Sequence, residues 1–313
     1  MSNEIVDAED ALSRAQQKAS SLYAGRIEVY AKAIKGRFRT VKWAVLAALL
    51  AIYYVTPWLR WHRGPGVPDQ AVLADIDALA DRLKRRIPAD AVPVQRLRWL
   101  NRFFFQELGF GGNVNNYYDP GNSYLHLVLS TRRGIPITLA VLYIELATQI
   151  GLNARGVSFP GHFLVKLKMA QGEVVIDPFT GQSLSREELD ELLAPYKRSR
   201  GLTGDFDAPL GLFLQSAPPR DVIARMLRNL KEIHRSAEDW PRLLAVLNRL
   251  VLLLPQAWEE RRDRGLAYAE LGMNGAAVGD LADYLEHAAE AQDHQAISAR
   301  LAELRRQGSP RLH

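Results

Sequence analysis

The sequence predicts an α+β domain in the middle of the chain, an all-α helical domain after it, and a single N-terminal transmembrane helix before it. Three patterns support this fold class: an uncharged apolar run near the N-terminus, one apolar helix followed by short strands, and helix pairs that recur about every 34 residues. The predicted parts are a cytoplasmic segment, the transmembrane helix, a linker, the α+β domain, a second linker and the all-α domain, at 1–40, 41–61, 62–76, 77–198, 199–219 and 220–313.

The composition sets the broad class of protein. With 313 residues, of which 48% are hydrophobic and 24% charged, the chain can fill two domains with buried cores. The net charge of +5 comes without a Lys/Arg run interleaved with aromatic residues, so no nucleic-acid partner is predicted. The absence of Cys excludes disulfides and thiolate catalysis. His287 and His294 are spaced too far apart to share an ion, so neither a metal nor a cofactor is predicted.

Residues 43–59 form an uncharged apolar run of ~17 residues, which is at the short end of what spans a bilayer. Aromatic residues cluster at its far end, where rings favour the headgroup layer. A buried core helix is the alternative. Lys and Arg are more frequent before the run than after it, which predicts a cytoplasmic N-terminus and a periplasmic C-terminal domain, with a cytoplasmic C-terminal domain as the alternative.

The stretches KGRFR (35–39), YYVTPWLRW (53–61) and RGPGVPDQ (63–70) flank and end this run. Together they resemble the N-terminal region of cytochrome oxidase accessory proteins of the FixG/CcoG type, over roughly residues 20–73. Those proteins continue into further membrane helices and a Cys-rich ferredoxin region. The sequence of this chain predicts neither feature after residue 73, so the resemblance implies a membrane-inserted segment and no redox role.

The middle of the chain alternates between helical and strand patterns. Residues from Asp75 onward carry a buried helical stripe of Ile76, Leu79, Ala80 and Leu83. Then follow a second helix, a loop, a short helix, an apolar core helix, three strands and a helix opened by a capping box at Ser185, at 94–108, 109–122, 122–133, 137–150, 154–159, 162–169, 174–176 and 185–193. One buried helix against an antiparallel sheet is an α+β core.

Four motifs in this region are NYYDPGNSYL (116–125), RGIPITLA (133–140), FPGHFLV (159–165) and IDPF (176–179). Their sequence and order resemble the SirB-type transglutaminase-like family, from about residue 77 to the C-terminus. The resemblance implies a papain-like α+β core with tetratricopeptide-type helices after it.

In transglutaminase-like enzymes a Cys at the start of the core helix is the nucleophile, a His on the next strand takes its proton, and an Asp orients that His. The resemblance places the Cys position at Pro136 and the other two at His162 and Asp177. Thr138 is the nearest hydroxyl. His162, Asp177 and Thr138 are therefore the candidate catalytic residues. The alternative is a His–Asp pair that only connects two strands. Members of the SirB-type branch commonly lack the Cys, so the resemblance does not imply an enzyme.

The loop beside the start of the core helix is a second candidate site. Its amides, phenols and carboxylate predict the lining of a polar cleft, formed by Asn115, Asn116, Tyr117, Tyr118 and Asp119 together with Pro136. The alternative is ordinary turn chemistry, in which Asn and Asp bind their own backbone and Tyr covers the edge of the core.

Two helical segments of about 34 residues overlie each other in the C-terminal part. Leu243, Leu247 and Leu250 of the first correspond to Ala277, Leu281 and Tyr284 of the second, and Gly265 marks a close helix approach in the second. This is the tetratricopeptide period, with a final capping helix over 295–306 and Lys231 where Gly is usual. An ordinary helical hairpin pair is the alternative. The repeats predict a protein or peptide partner.

Taken together, these patterns predict a membrane-tethered, non-catalytic transglutaminase-like protein that acts as an interaction or scaffold module. The alternative is a hydrolase or acyltransferase that uses Thr138 or water with a His162–Asp177 dyad.

Overall fold

The computed structural model describes residues 69–202, 204 and 207–308. The predicted cytoplasmic segment 1–40 and transmembrane helix 41–61 lie outside these ranges, so both stay predictions. Within the described ranges, no helix combines the length and the apolar character that crossing a bilayer requires.

Two helices open the described part of the chain. Helix α1 (Asp69–Lys84) buries the predicted stripe of Ile76, Leu79, Ala80 and Leu83. Helix α2 (Pro93–Asn101) has Pro at its first position, where no backbone N–H is needed. It continues without a break into a π-helical turn over Arg102–Glu107. The predicted helix 94–108 is therefore one run with a wider last turn, and this turn accompanies the burial of two consecutive rings, Phe103 and Phe104.

The predicted loop 109–122 contains a short pairing that the sequence did not indicate. Strand β1 (Gly111–Gly112) pairs in parallel with β2 (Arg133–Gly134), which follows helix α3 (Leu125–Thr131). Gly112 has no room for a side chain, because a Cβ there would lie 2.2 Å from the Phe179 ring. The pairing holds the loop beside the start of the core helix.

Helix α4 (Pro136–Gln149) is the core helix, and every residue from Ile137 to Ala147 is buried. It packs against an antiparallel sheet, as the sequence predicts, and this sheet has four strands where three were predicted. The strands follow chain order in the sheet: β3 (Asn153–Val157), β4 (Leu164–Met169), β5 (Gly172–Ile176) and β6 (Ser183–Leu184). The last strand was not predicted, since two residues carry no readable alternation.

Two strands have boundaries that differ from those predicted from the sequence. Strand β3 ends at Val157 and β4 begins at Leu164, because a Pro-Gly turn lies between them and the His162 N–H donates to the Phe159 carbonyl at 3.0 Å. His162 therefore lies in a turn before the strand and not at its first position. Asp177 directly follows β5.

The segment after the sheet contributes to the core. Helix α5 (Arg186–Ser199) begins with the predicted capping box, in which Ser185 and Glu188 exchange side-chain to backbone bonds. It runs six residues past the predicted end. The predicted linker 199–219 contains a short helix, α6 (Leu210–Phe213), whose Leu210 is buried in a cluster with Val157, Phe159, Leu164, Val175, Leu189 and Leu193.

Five further helices follow in the described chain, in the order α7 (Pro219–Ser236), α8 (Trp240–Leu253), α9 (Trp258–Glu270), α10 (Asn274–His287) and α11 (His294–Gly308). The predicted close approach is present, since a Cβ at Gly265 would lie 2.8 Å from Leu281 Cδ2. Lys231, where Gly is usual, is buried and forms ion pairs with Glu260 at 2.8 Å and Asp263 at 2.5 Å on α9.

Helix α7 connects the helical part to the α+β part. It packs against α4 and against the short turn Pro120–Ser123. Arg225 of α7 donates to Ser158 Oγ at 2.7 Å and to the His162 carbonyl at 2.9 Å. The backbone adds a further bond, from Ala217 N–H to the Gly156 carbonyl at 2.8 Å.

Candidate functional site

The start of the core helix offers no exposed nucleophile. Pro136 is at its first position, and the Thr138 side chain is 0% exposed. Thr138 Oγ1 lies 2.8 Å from the Asn122 carbonyl and 3.0 Å from the Ile135 carbonyl, so its proton is directed to the backbone. The Thr138 hydroxyl therefore connects the preceding loop to the helix through hydrogen bonds. This placement does not favour the nucleophilic role predicted for Thr138.

His162 and Asp177 lie at the same end of the β4–β5 pair. Val165 pairs with Ile176, so Asp177 comes one residue after a paired position and His162 three residues before one. The Asp177 carboxylate accepts from the Phe179 N–H at 2.9 Å and from Thr180 Oγ1 at 3.0 Å, which closes the turn after β5. No hydrogen bond joins His162 to Asp177 in the described structure. The strand register therefore brings His162 and Asp177 to the same end of the sheet, but the two side chains do not form the predicted hydrogen bond in the described structure.

The loop before the core helix is organised by Asn122, which is 3% exposed. Its side-chain NH₂ donates to the carbonyls of Asn116 at 2.7 Å and Tyr117 at 3.0 Å, and its Oδ1 accepts from Asn113 Nδ2 at 3.0 Å. Asp119 closes the next turn by accepting from Gly121 N–H at 2.7 Å. These bonds are the turn chemistry that the sequence left open as an alternative.

The same loop also forms one wall of a cleft of 690 Å³. Helix α7 forms the opposite wall, and the lining residues are Tyr117, Tyr118, Pro120, Ile135, Asn229, Glu232, Ile233, Ser236 and Ala237. Tyr118 is 78% exposed, so its ring is available to a ligand. Of the predicted lining residues, Tyr117 and Tyr118 contribute. Asn115, Asn116, Asp119 and Pro136 are not among the lining residues.

Sequence reasoning missed the α7 wall. Its residues recur at i, i+3, i+4, i+7 and i+8 from Asn229 to Ala237, which is the spacing of one helix face. The spacing could have been read from the sequence. The composition of that face, with Asn, Glu and Ser beside Ile and Ala, does not separate a cleft wall from a solvated surface. Its location opposite the loop depends on how the two domains pack.

Burial shifts the pKa of several groups near this junction. Desolvation lowers the pKa of the Arg225 guanidinium, and the neighbouring Tyr117 phenol opposes that shift. Desolvation also lowers the pKa of His234 on α7. It raises the pKa of Tyr124, which follows the Pro120–Ser123 turn, to about 12. No cluster of three or more metal-ligating side chains was found among the described residues.

Comparisons with known proteins agree with this architecture. Residues 70–228 match the family profile of the transglutaminase-like superfamily. The chain belongs to that superfamily. Residues 230–302 match the tetratricopeptide repeat profile. Both predicted domain types are therefore confirmed at the level of the family.

Several relatives are bacterial UPF0162 proteins. One from Xylella fastidiosa is 44% identical over 188 residues, which cover 60% of this chain and 66% of the relative. Another from Pseudomonas aeruginosa is 28% identical over 263 residues, which cover 84% of this chain and 94% of the relative. The match therefore spans just under two thirds of the Xylella protein. No solved structure matches the chain.

A different kind of relative is Protein RdxB of Cereibacter sphaeroides, which is 52% identical over 59 residues. These residues cover 19% of this chain and 12% of RdxB. The match is short, and the resemblance of residues 20–73 to the FixG/CcoG type stays a prediction.

Proposed function

We propose that this protein is a membrane-tethered interaction module whose transglutaminase-like domain and repeats together bind a segment of a partner protein. The observation that carries the proposal is the 690 Å³ cleft between the Tyr117–Pro120 loop and helix α7. Ligand sites are commonly concave and formed where two domains meet. Tetratricopeptide-type helices give such a surface a preference for peptides and helices.

The geometry of the former catalytic position supports a binding role over bond-breaking. Proline occupies the position of the nucleophile. The Thr138 hydroxyl is within hydrogen-bond distance of two backbone carbonyls, and the Asp177 carboxylate accepts a hydrogen bond from the backbone of its own turn. A general base needs its partner within hydrogen-bond reach. Among the hydrogen bonds of the described residues, none joins His162 to Thr138 or to Asp177.

The alternative is a hydrolase or acyltransferase that uses Thr138 or water with His162 and Asp177, and it predicts turnover that depends on these residues. Under the binding proposal, purified full-length protein should hydrolyse amide and ester substrates no faster than its Thr138→Ala and His162→Ala variants. Turnover that disappears in either variant, while the melting temperature stays unchanged, would favour the alternative.

The tether of the proposal is the apolar run 41–61, supported by its aromatic end and by the basic residues before it. With the N-terminus in the cytoplasm, the domain from residue 77 onward lies in the periplasm. Protease added to intact spheroplasts should then digest this domain. Complete protection in spheroplasts, with digestion after lysis, would place the domain in the cytoplasm instead.

The binding role is tested by a photo-crosslinking amino acid in the living cell. Placed at Tyr118, it should give adducts of defined size. The same residue at Leu252, exposed on α8, serves as the control and should not give these adducts. Ala237→Trp, which fills the cleft from the residue directly after α7, should abolish the Tyr118 adducts. Identical adducts with and without the Trp would contradict binding in the cleft.

A further inference from the structure

Arg225 is a half-buried cation without an acidic partner among the residues that the structure describes. Its Nη1 and Nη2 atoms donate to Ser158 Oγ and the His162 carbonyl, which are both uncharged acceptors. No carboxylate of the described residues comes within ion-pair distance of its guanidinium. A desolvated charge without a counter-charge is unfavourable, so burying Arg225 here has a cost that a neutral side chain would avoid.

The next two cations along the same helix are paired with carboxylates. Arg228, one turn later, pairs with Glu260 at 2.7 Å, and Lys231 pairs with Glu260 and Asp263. Helix α7 thus presents Arg228 and Lys231, both paired, toward α9, and it presents Arg225 toward the α+β domain. Arg220, near the start of α7, likewise has no carboxylate partner among the described residues, and it donates to the Leu253 carbonyl. Carboxylates of α9 therefore reach Arg228 and Lys231, whereas no carboxylate of the described residues reaches Arg225.

Arg225 is not among the residues that line the cleft, but it lies next to two of them and is held in a fixed orientation. Asn229, one helical turn further along α7, lines the cleft. Tyr117 lines the cleft as well, and its phenol interacts electrostatically with Arg225. The guanidinium packs on the Phe163 ring, at 5.5 Å from its centroid. Two of its five N–H donors are used, so donors remain for a ligand.

We propose that Arg225 binds a side-chain carboxylate of the partner segment, so that the cleft recognises an acidic residue next to an apolar or aromatic one. The apolar component follows from the lining, in which Ile135, Ile233, Pro120 and two tyrosines predominate. A guanidinium–carboxylate bond is stronger than a bond between neutral groups and adds geometric specificity. This inference rests on the proposed function and specifies the chemistry of the partner.

The test is a selection from random heptapeptides, acetylated and amidated at their ends, on the full-length protein in lipid nanodiscs. Selected peptides should contain Asp or Glu beside a large apolar residue. Replacing that acid by its amide in the best peptide should weaken its binding to the wild-type protein ~10-fold or more. Arg225→Gln should remove this preference for the acid. Arg228→Gln, which makes the same charge change at a paired site, should keep it.

Two controls separate ligand binding from folding. Ser158→Ala removes one acceptor of Arg225 but leaves its charge, so it should keep the preference for an acid. Should Arg225→Gln fail to fold, the comparison of acid and amide peptides on the wild-type protein still tests whether the cleft recognises a carboxylate. Selected peptides without an acid, or acid and amide binding equally, would overturn the carboxylate inference and leave cleft binding intact. A selection that enriches nothing would overturn cleft binding itself.

Discussion

At the scale of single residues, Asn122 connects the loop over 113–121 to the core helix. Its side chain bonds to the start and the middle of the loop, and its backbone carbonyl accepts from Thr138 Oγ1 at 2.8 Å. Buried amides of this kind are costly to remove, because the groups they satisfied are left without partners. The position of Tyr117 and Tyr118 in the cleft therefore depends on a residue that does not line it.

Asn122→Ala should lower the free energy of unfolding by about 2 kcal/mol, since it removes the donor to the Asn116 and Tyr117 carbonyls and the acceptor of Asn113. Urea unfolding monitored by circular dichroism measures the change. Asn115→Ala, on an exposed neighbour in the same loop, should stay within about 0.5 kcal/mol of wild type. Equal stability of the two variants would show that Asn122 does not organise the loop.

His234 is a second residue whose role is set by burial. It is 2% exposed, its Nε2 has no hydrogen-bond partner among the described residues, and desolvation lowers its pKa from 6.5. Asp239 and Arg242, at the start of α8, act on it in opposite directions. The folded state therefore holds His234 neutral at a pH where the unfolded chain binds a proton.

The consequence is a loss of stability in acid. Above pH 6.5 both states carry neutral His234 and its contribution is complete, whereas below 6.5 the unfolded state gains the proton first. Stability should fall by at most about 1.4 kcal/mol per pH unit for this group. Comparing urea midpoints at pH 7.5 and 5.5 measures the fall, which should be smaller in His234→Leu. His126, whose pKa burial also lowers, keeps part of the effect in that variant.

At the scale of elements, α9 and α10 approach each other at a glycine. A Cβ on Gly265 would lie 2.8 Å from Leu281 Cδ2 and 3.1 Å from Asp280 Cβ, and Leu281 is fully buried. Neither atom can move away without disturbing the repeat core. Gly279, in the middle of α10, has no atom within 4 Å of such a Cβ.

The two glycines should therefore respond in opposite directions to alanine. Gly265→Ala should destabilise the protein by about 1–3 kcal/mol, because it overpacks the helix contact. Gly279→Ala should stabilise it by about 0.5–1 kcal/mol, because alanine loses less conformational entropy in a helix. Thermal unfolding of the two variants and of the wild-type protein measures the sign of each change in stability. A shift of the same sign in both would contradict the packing explanation.

Elements specified by a side-chain pattern over many residues could be predicted from the sequence, whereas the pairing of two-residue strands could not. Helix α1, the core helix α4 and the capping box at Ser185 follow the sequence, because side-chain spacing and local bonds specify them. Strands β1, β2 and β6 have two residues each. Their pairing is decided by neighbours far along the chain, such as Phe179 against Gly112. The π-helical turn after α2 leaves no sequence signal either.

At the scale of the whole molecule, the segment 199–219 was predicted as a linker but forms part of the core. Leu210 of α6 is 4% exposed and joins the cluster between the sheet and α5, whereas Leu212 in the same short helix is 56% exposed. Together with the Ala217–Gly156 backbone bond, this packing ties the α+β domain to the first repeat helix.

Leu210→Ala should therefore cost about 2–5 kcal/mol, as expected for a leucine in a packed core. Leu212→Ala should stay within about 0.5 kcal/mol of wild type, since its side chain is exposed. Chemical unfolding followed by tryptophan fluorescence compares the pair. Similar behaviour of both variants would restore the linker interpretation.

The sequence by itself determined the two domain types, the order of their main elements and the loss of the thiol nucleophile, because periodicity, motifs and residue identity are local properties of a chain. The tertiary structure alone decided that the Asn122 loop faces α7. It also decided that, within the described part of the chain, His162 and Asp177 do not bond to each other and no carboxylate pairs with Arg225. These depend on which distant groups meet when apolar surfaces are buried, and side-chain spacing along the chain does not encode those contacts.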